Sequence, residues 1–157
     1  MSAAGQGVKV GVARERAPGE RRVALSPETC KKLVAAGAEV RIEAGAGTGA
    51  GMTDEAYRQV GGHVVADAAT ALNDADVVLC VQSPPAAVLA GLREGAAVIG
   101  LLAPQADAER GAAITARKLL AFPLERLPRT TRAQAMDVLS SQAGMAGYKA
   151  VLIAAQL

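Results

Sequence analysis

The segment ADVVLCVQSPPAAVLAGLREGAAVIGLL (residues 75–102) decides the fold class. It contains two short apolar runs, ADVVLCVQ and AAVIGLL, in which apolar and polar residues do not alternate. Both runs are predicted to be strands, and the proline-led stretch between them is predicted to be a helix. Continuous apolar strands joined by a helix are typical of a parallel sheet that helices cover on both faces.

The alternation of strand and helix continues on both sides of this segment. Further strands are predicted at 8–13, 38–44 and 63–66, and further helices at 26–38, 53–62 and 107–119, the last of which leads to the run LLAFPLE. Ser26 suits the N-cap of its helix, and Gly37 suits its end. The stretch DAATALND is interpreted as a connection, and a long helix of small residues is predicted from about Arg132 to the C-terminus. The predicted class is therefore α/β, a flavodoxin/Rossmann-like parallel sheet flanked by helices.

The composition fits one such domain and excludes several classes of function. Of the 157 residues, 51% are hydrophobic but only 2% are aromatic, which leaves no aromatic platform for stacking bases. The net charge is +2, and the arginines near residue 20 are interleaved with glutamates, so no nucleic-acid partner is expected. The first residues lack the pattern of a signal peptide, and no apolar run reaches the length of a membrane span.

The residues that most often carry chemistry are sparse and scattered. Cys30 and Cys80 lie far apart in apolar stretches, so buried free thiols and a reducing compartment are expected. His63, the only histidine, begins a strand and is expected at the surface or at a strand edge. No His, Cys, Asp or Glu cluster has metal-ligand spacing, and no nucleophile–base–orienter set is visible. The sequence therefore predicts neither a metal site nor catalysis by a histidine.

A glycine motif suggests a dinucleotide site but is interpreted as a turn. The sequence EAGAGTGA (43–50) matches G-x-G-x-x-A after a strand, and Asp67 follows at roughly the distance of a ribose-binding carboxylate. The strand before the motif alternates charged residues, unlike the apolar first strand of a dinucleotide fold. Asp54 and Glu55 open the next helix, where they would compete with a pyrophosphate for the helix N-terminus. A glycine-rich connection is the better interpretation.

A second group of polar residues lies in the sequence RTTRAQAMDVLSS. Thr131 and Gln134 fit a capping box at the start of the predicted last helix. Gln134 and Asp137 are three residues apart and share one face of that helix, with Ser140 only slightly displaced from it. Arg129 lies just before the helix. These residues alone leave two interpretations equally open, a helix cap and a grip on the amide and ribose of a nicotinamide.

Two long stretches carry a resemblance to a known family. Residues 14–57 resemble the N-terminal signature shared by alanine dehydrogenase and the α subunit of proton-translocating NAD(P) transhydrogenase, and residues 128–151 resemble the transhydrogenase version. The resemblance implies that an Arg-Gln-Asp loop reaches over the nicotinamide of NAD(H). The cofactor-binding residues that it implies are Arg129, Arg132, Gln134, Asp137 and Ser140, and of these Gln134 and Asp137 are the implied catalytic residues.

The resemblance also implies an activity, partners and a location. The expected activity is a share in hydride transfer between NAD(H) and NADP(H), coupled to proton movement, with NADP(H) on a partner domain. Expected partners are the membrane-embedded and NADP(H)-binding subunits or domains, together with a second copy in a homodimer. The chain would be cytoplasmic and peripheral at the inner (plasma) membrane. Residues 1–131 would form the N-terminal domain, and 132–157 a linking helix toward an NAD-binding domain whose G-x-G-x-x-G motif would follow Leu157.

Departures from alanine dehydrogenase separate the two branches of the family. Arg22 matches the arginine with which that enzyme holds pyruvate, although the residues alone favour an ordinary charged turn. Gln82 stands at the lysine position, and GLLAPQ (100–105) lacks the expected histidine. Alanine dehydrogenase must move a proton, whereas transfer between two nicotinamides needs only alignment and exclusion of water. An alanine-dehydrogenase-type enzyme and a non-catalytic assembly module remain the alternatives.

Overall fold

A single parallel sheet organises the structure, a computed structural model that describes residues 7–128 and 130–156. Its strands within these ranges are β1 (Lys9–Val12), β2 (Glu39–Glu43), β3 (His63–Val65), β4 (Val77–Gln82), β5 (Ala97–Leu101) and β6 (Leu120–Pro123). Their order across the sheet is β3-β2-β1-β4-β5-β6, and each neighbouring pair is parallel. The predicted α/β class with a parallel sheet is confirmed.

The α-helices of the described ranges are α1 (Pro27–Ala35), α2 (Asp54–Gln59), α3 (Ala68–Leu72), α4 (Ala86–Gly91), α5 (Ala108–Ala116) and α6 (Val138–Ala154). Helices α1 to α5 connect successive strands, and α6 follows the last strand. Short 3-10 helices cover Thr48–Ala50, Leu124–Arg126 and Gln134–Met136. The Ser26 side chain accepts a hydrogen bond from the Thr29 amide at the start of α1, as predicted, and Gly37 follows its end with a φ of +90°.

Two apolar clusters form the core of the sheet and its helices. One contains Val10, Val12, Leu25, Cys30, Val40, Ile42, Ala46 and Tyr57, and the other Leu72, Ala75, Val78, Leu89, Leu92, Ala96, Val98, Leu102 and Leu119. Helix α3 lies close against β1 because Gly11 has no side chain. A Cβ at Gly11 would lie 2.7 Å from the carbonyl oxygen of Ala71. The side chain of Leu72 packs at the same place, 3.1 Å from where that Cβ would lie.

Two predicted elements are wrong in detail. The stretch DAATALND forms α3 rather than a plain connection, and the Asp67 carboxylate caps that helix by accepting from the Thr70 amide at 2.8 Å. The last helix begins at Val138 rather than near Arg132, because residues 132–137 form turns and a short 3-10 helix. The N-cap of α6 is Asp137, so no helix is present for the predicted capping box of Thr131 and Gln134.

The buried hydroxyl of Tyr57 gives a stability prediction. Tyr57 is fully buried and donates to the Leu25 carbonyl oxygen at 2.6 Å. We expect Tyr57→Phe to lower the free energy of unfolding by about 1–3 kcal/mol, because a buried carbonyl loses its hydrogen bond. Urea unfolding measures this change. The matched control is Tyr148→Phe on the exposed surface of α6, where a change within about 0.5 kcal/mol is expected. Equal effects of the two substitutions would contradict the assignment.

Candidate functional site

The strand order places a functional crevice at the carboxyl ends of β1 and β4. The chain proceeds from β1 toward β2 and β3 on one side, and from β4 toward β5 and β6 on the other. Ligands of open α/β sheets bind outside the carboxyl ends of the strands at such a switch point. The segments that follow β1, β4, β5 and β6 therefore contain the candidate site.

Glu15, in the segment after β1, is bound to the end of β4. Its carboxylate accepts from the Val81 amide at 2.5 Å and from the Gln82 amide at 3.2 Å. Burial raises the pKa of this carboxyl, and the two amide hydrogen bonds oppose the rise. Glu15 thus satisfies backbone donors that would otherwise face a ligand at the switch point.

Two other carboxylates play the same role along this edge. Glu43, at the end of β2, is buried and accepts from the Arg14 amide at 2.7 Å. Glu125, after β6, accepts from the Leu102 amide at 3.2 Å and the Ala103 amide at 2.6 Å, just past β5. Free backbone amides often bind phosphates in proteins. At these positions the amides already donate to carboxylates of the protein itself.

Glu20 is the centre of a side-chain network that sequence reasoning missed. Arg22 grips it with two donors, Nε to Oε1 at 2.8 Å and Nη2 to Oε2 at 2.6 Å. The Gln82 side chain also donates to Glu20 Oε2, at 3.0 Å. Arg22 Nη1 in turn donates to the side-chain oxygen of Gln142 on α6, at 3.4 Å. The Glu-x-Arg spacing in GERR is the one local signal that could have pointed to this pair.

The network leaves little capacity for an added carboxylate. The Arg22 guanidinium holds the pKa of Glu20 at about 2, with a smaller contribution from Gln82, so Glu20 is ionised. Arg22, the position matched to a pyruvate-binding arginine, is therefore already paired. Gln82 adds a neutral donor where a lysine would add a charge. The carboxyl groups of Glu15 and Glu20 both lie near the Arg22 guanidinium. Their negative charge disfavours binding of a 2-oxo acid by Arg22.

The predicted nicotinamide residues come together at a second place. Gln134, Asp137 and Ser140 line one cleft of about 760 Å³ between α6 and the segment that follows β6. Thr130, Thr131, Ala133 and Glu125 also line this cleft. Arg132 is exposed and does not line it, whereas Arg129 lies outside the described residues. A shared helical face for Gln134 and Asp137 is wrong, since α6 begins at Val138, but the turn before α6 still gathers them.

Asp137 has a structural role in this cleft. Its Oδ1 accepts from the Leu139 amide at 3.0 Å and from the Ser140 amide at 3.1 Å, and its Oδ2 accepts from the Ser140 hydroxyl. It is therefore the N-cap of α6, and Ser140 holds its second oxygen in place. Ala133 is buried beside these exposed residues and anchors the turn that carries Gln134. The helix start thus fixes the orientation of the polar lining.

The glycine motif at 43–50 forms a turn, and a nearby carboxylate of the chain accepts a hydrogen bond from one of its amides. The Gly45 amide donates to Asp54 Oδ1 at 2.9 Å, and Gly45 has a φ of +74°. Asp67, the candidate ribose carboxylate, is instead the N-cap of α3. These contacts support the interpretation of a glycine-rich connection.

The remaining candidates show no reactive arrangement. His63 is exposed at the start of β3, an edge strand, which confirms the sequence expectation. Cys30 is buried and Cys80 half-buried, both as free thiols, and burial raises the pKa of Cys80 to about 12. Across 7–128 and 130–156, no group of three His, Cys, Asp or Glu residues is placed to hold a metal ion. In the same ranges, each helix is too short or too polar to span a bilayer.

Comparisons with known proteins agree with the sequence resemblance. The family model for the alanine dehydrogenase/PNT N-terminal domain matches residues 11–146. An NAD(P) transhydrogenase subunit alpha chain of Rhodospirillum rubrum is 45% identical over 150 residues, which cover 92% of this chain and 39% of that relative. The alanine dehydrogenase of Bacillus subtilis is 30% identical over 147 residues, 94% of this chain and 38% of the enzyme.

A solved structure supports the same relationship. The crystal structure of transhydrogenase from Sinorhizobium meliloti superposes with a TM-score of 0.87 at 44% identity, covering 94% of this chain and 44% of that chain. The chain thus spans less than half the length of the relatives that it matches.

The Glu20 network predicts a pH dependence of stability. A depressed carboxyl pKa stabilises the fold above the ordinary value of 4.5, and this contribution is lost as the pH falls toward about 2. Glu20→Gln should lower the free energy of unfolding at pH 7 by about 1.5 kcal/mol, the size of a charge-assisted hydrogen bond. The deficit should shrink between pH 4.5 and 2. Urea unfolding across this range tests it, with the exposed Glu55→Gln as control. A deficit that does not change with pH would contradict the pairing.

Proposed function

The chain belongs to the alanine dehydrogenase/PNT family through its N-terminal domain, and we propose that it contributes to the NAD(H)-binding component of a proton-translocating NAD(P) transhydrogenase. One observation carries this proposal. Gln134, Asp137 and Ser140, three of the five cofactor-binding residues that the resemblance implies, line one cleft in the structure. Their convergence does not follow from helical spacing, since the helix starts only after Asp137.

The lining of the cleft fits the polar groups of a nicotinamide nucleoside. The amide of Gln134 offers both a donor and an acceptor, which complement a carboxamide. Asp137 brings a carboxylate to the lining, and its bonds from the α6 amides fix where that carboxylate lies. Ser140 adds a hydroxyl at the same helix start. We also propose Arg129 and Arg132 as cofactor-binding residues, since the resemblance implies both.

The chemistry expected of this site requires positioning more than acid or base groups. NAD(H) supplies or accepts the hydride when it is bound. The role of this chain would be to hold the ring so that its reactive carbon faces a second nicotinamide, carried by an NADP(H)-binding partner. Rates of such transfers depend steeply on the distance and orientation of the reacting atoms. A rigid cap that orients Asp137 is suited to that task.

The wider assembly also belongs to the proposal. Residues 1–131 would form the N-terminal domain and 132–157 a linking helix toward an NAD-binding domain. Helix α6 exposes Met145, Tyr148 and Val151, which supports packing against a further domain or subunit. We expect a homodimer that is cytoplasmic and joined to the inner membrane through membrane-embedded partner subunits, with proton movement located in those partners.

The alternative of an alanine-dehydrogenase-type enzyme is less well supported. The arginine of that site, Arg22, is held by Glu20 and by Gln142. Gln82 donates to the same Glu20 and brings no charge. The identity to the Bacillus subtilis enzyme is also lower than to the transhydrogenase subunit.

A chimera tests the role of Gln134 and Asp137. The 157 residues would replace the matching segment of the relative that is 45% identical. Gln134→Asn and Asp137→Asn should each slow single-turnover hydride transfer by about 10- to 100-fold, because displacement by about 1 Å misaligns the reacting atoms. Asparagine is as good an N-cap as aspartate, so Asp137→Asn should leave the melting temperature nearly unchanged. Gln59→Asn on exposed α2 is the control. Unaltered rates with lowered melting temperatures would reduce both residues to structural roles.

The isolated chain should bind NADH weakly. Carboxylates of this chain occupy amides at the strand ends and in the glycine turn, so little remains to hold a pyrophosphate. We expect a Kd above about 1 mM in a fluorescence titration of NADH. The chimera provides the positive control. Micromolar binding by the isolated chain would mean that the turn at Gly45 is a nucleotide site after all.

A further inference from the structure

Helix α6 carries part of the cleft proposed for the nicotinamide but buries very little of its own surface. Ser140 in its first turn and its cap Asp137 both line the cleft. Each described residue from Leu139 to the end of the helix is exposed. The helix packs against the short 3-10 helix Leu124–Arg126, which follows β6. A helix with so little buried surface is free to rotate or shift about such a contact unless polar contacts restrain it.

Gln142 provides a polar contact on another side of α6. Arg22 Nη1 donates to the Gln142 side-chain oxygen at 3.4 Å. Successive residues of an α-helix are rotated by about 100°, so Gln142 points about 200° away from Ser140. Gln142 is accordingly absent from the lining of the cleft, whereas Leu139 and Ser140 belong to it. One contact on the cleft side and one on the opposite side together fix the rotation of the helix, and hence the direction of Ser140.

Arg22 is itself fixed by contacts that lead to the end of β4. Glu20 accepts from Arg22 Nε at 2.8 Å, from Arg22 Nη2 at 2.6 Å and from the Arg22 backbone amide at 2.9 Å. This bidentate contact uses one edge of the planar guanidinium and leaves Nη1, on the other edge, for Gln142. The side chain of Gln82, the last residue of β4, donates to the same Glu20 at 3.0 Å. An unbroken series of side-chain hydrogen bonds therefore connects the central sheet to α6.

We propose, on the basis of the proposed function, that Arg22 and Gln142 are positioning residues for hydride transfer, because their contact sets the rotation of α6. Neither residue lines the cleft, so both act through the helix that presents Ser140 and Asp137 to it. A displacement of about 1 Å at these side chains would misalign the ring and lower the rate of transfer. The affinity for NADH should change little, because loss of the contact removes no group that lines the cleft.

Hydrogen exchange in the 157-residue chain tests the contact without any cofactor. The backbone amides of Leu139 and Ser140 donate to the cap of α6 and report on its start. Gln142→Leu removes the acceptor and should speed their exchange, followed by NMR, by about threefold or more, the effect of one lost hydrogen bond on local opening. Arg22→Lys keeps the positive charge but lacks Nη1 and should act alike. Since both substitutions remove one contact, the double variant should exchange no faster than the faster single variant.

Two variants serve as controls for these exchange rates. Gln156→Leu makes the same change at an exposed position just beyond α6 and should leave the amides at the helix start unaffected. Gln142→Glu offers Arg22 a charged acceptor and should keep the exchange as slow as in the unaltered chain. The contact is exposed, so the melting temperatures of all these variants should stay close to that of the unaltered chain.

Hydride transfer in the chimera tests the consequence of the contact. Gln142→Leu and Arg22→Lys should each slow single-turnover transfer by about three- to tenfold, while the Kd for NADH changes by less than about twofold. Gln142→Glu should retain the rate, because it keeps an acceptor for Arg22, and Gln156→Leu should not alter it. A residue that only stabilised the fold would not separate the rate from the affinity in this way.

The results that would contradict this role are distinct from those that would contradict the proposed function. Unchanged exchange at Leu139 and Ser140 in the Gln142→Leu variant, or additive effects in the double variant, would overturn the contact. Transfer that is slowed by Gln134→Asn but not by Gln142→Leu would overturn the positioning role and leave the proposed function intact. Normal transfer in both the Gln134→Asn and Asp137→Asn variants would overturn the proposed function and the positioning role with it.

Discussion

The structure depends on which groups accept hydrogen bonds from the backbone amides at the carboxyl ends of its parallel strands. Parallel strands that end at one edge leave N–H groups there without a neighbouring strand, and buried N–H groups require acceptors. Glu15, Glu43 and Glu125 supply carboxylate acceptors to these groups from adjacent segments. Each such bond joins the carboxyl ends of two strands that are neighbours in the sheet. The edge is therefore held together by side chains of the chain itself, and the ligand sites must be built around them.

This arrangement explains why the candidate sites consist of side chains. A nucleotide-binding edge of the usual kind exposes amides and a helix N-terminus to a phosphate. Here the Asp54 and Glu125 carboxylates take amides of that type, and Asp137 takes those at the start of α6. What remains for a cofactor is the polar lining of the cleft, which suits a nicotinamide and its ribose better than a pyrophosphate. On the proposed function, this chain would hold the nicotinamide end of the cofactor and leave the phosphates to another domain.

Local sequence patterns can predict the strands but not the side-chain networks. The apolar runs at β4 and β5 specify buried strands because such runs fit few other environments. Helix α3 has only five residues, and its cap Asp67 also fits a ribose-binding pattern. Sequence patterns place the start of α6 too early because Thr131 and Asp137 both suit an N-cap, and it is Asp137 that accepts from the first amides of the helix. Glu15 and Glu20 pair with residues more than sixty positions away, and no local period reveals such pairs.

The network around Glu20 also connects the carboxyl end of the sheet to α6, which lines the cleft proposed for the nicotinamide. Helix α6 is exposed along most of its length, so its position relative to the sheet depends on few contacts. One of these is the bond from Arg22 to Gln142, five residues after Asp137, and Glu20 holds Arg22 in place for it. Arg22 and Gln82, which match substrate-binding positions of alanine dehydrogenase, both donate to Glu20 here, and Arg22 also donates to Gln142 of α6. The same arginine position thus serves as a support for the helix whose first turn carries Asp137 and Ser140, and its pairing with Glu20 removes it from substrate binding.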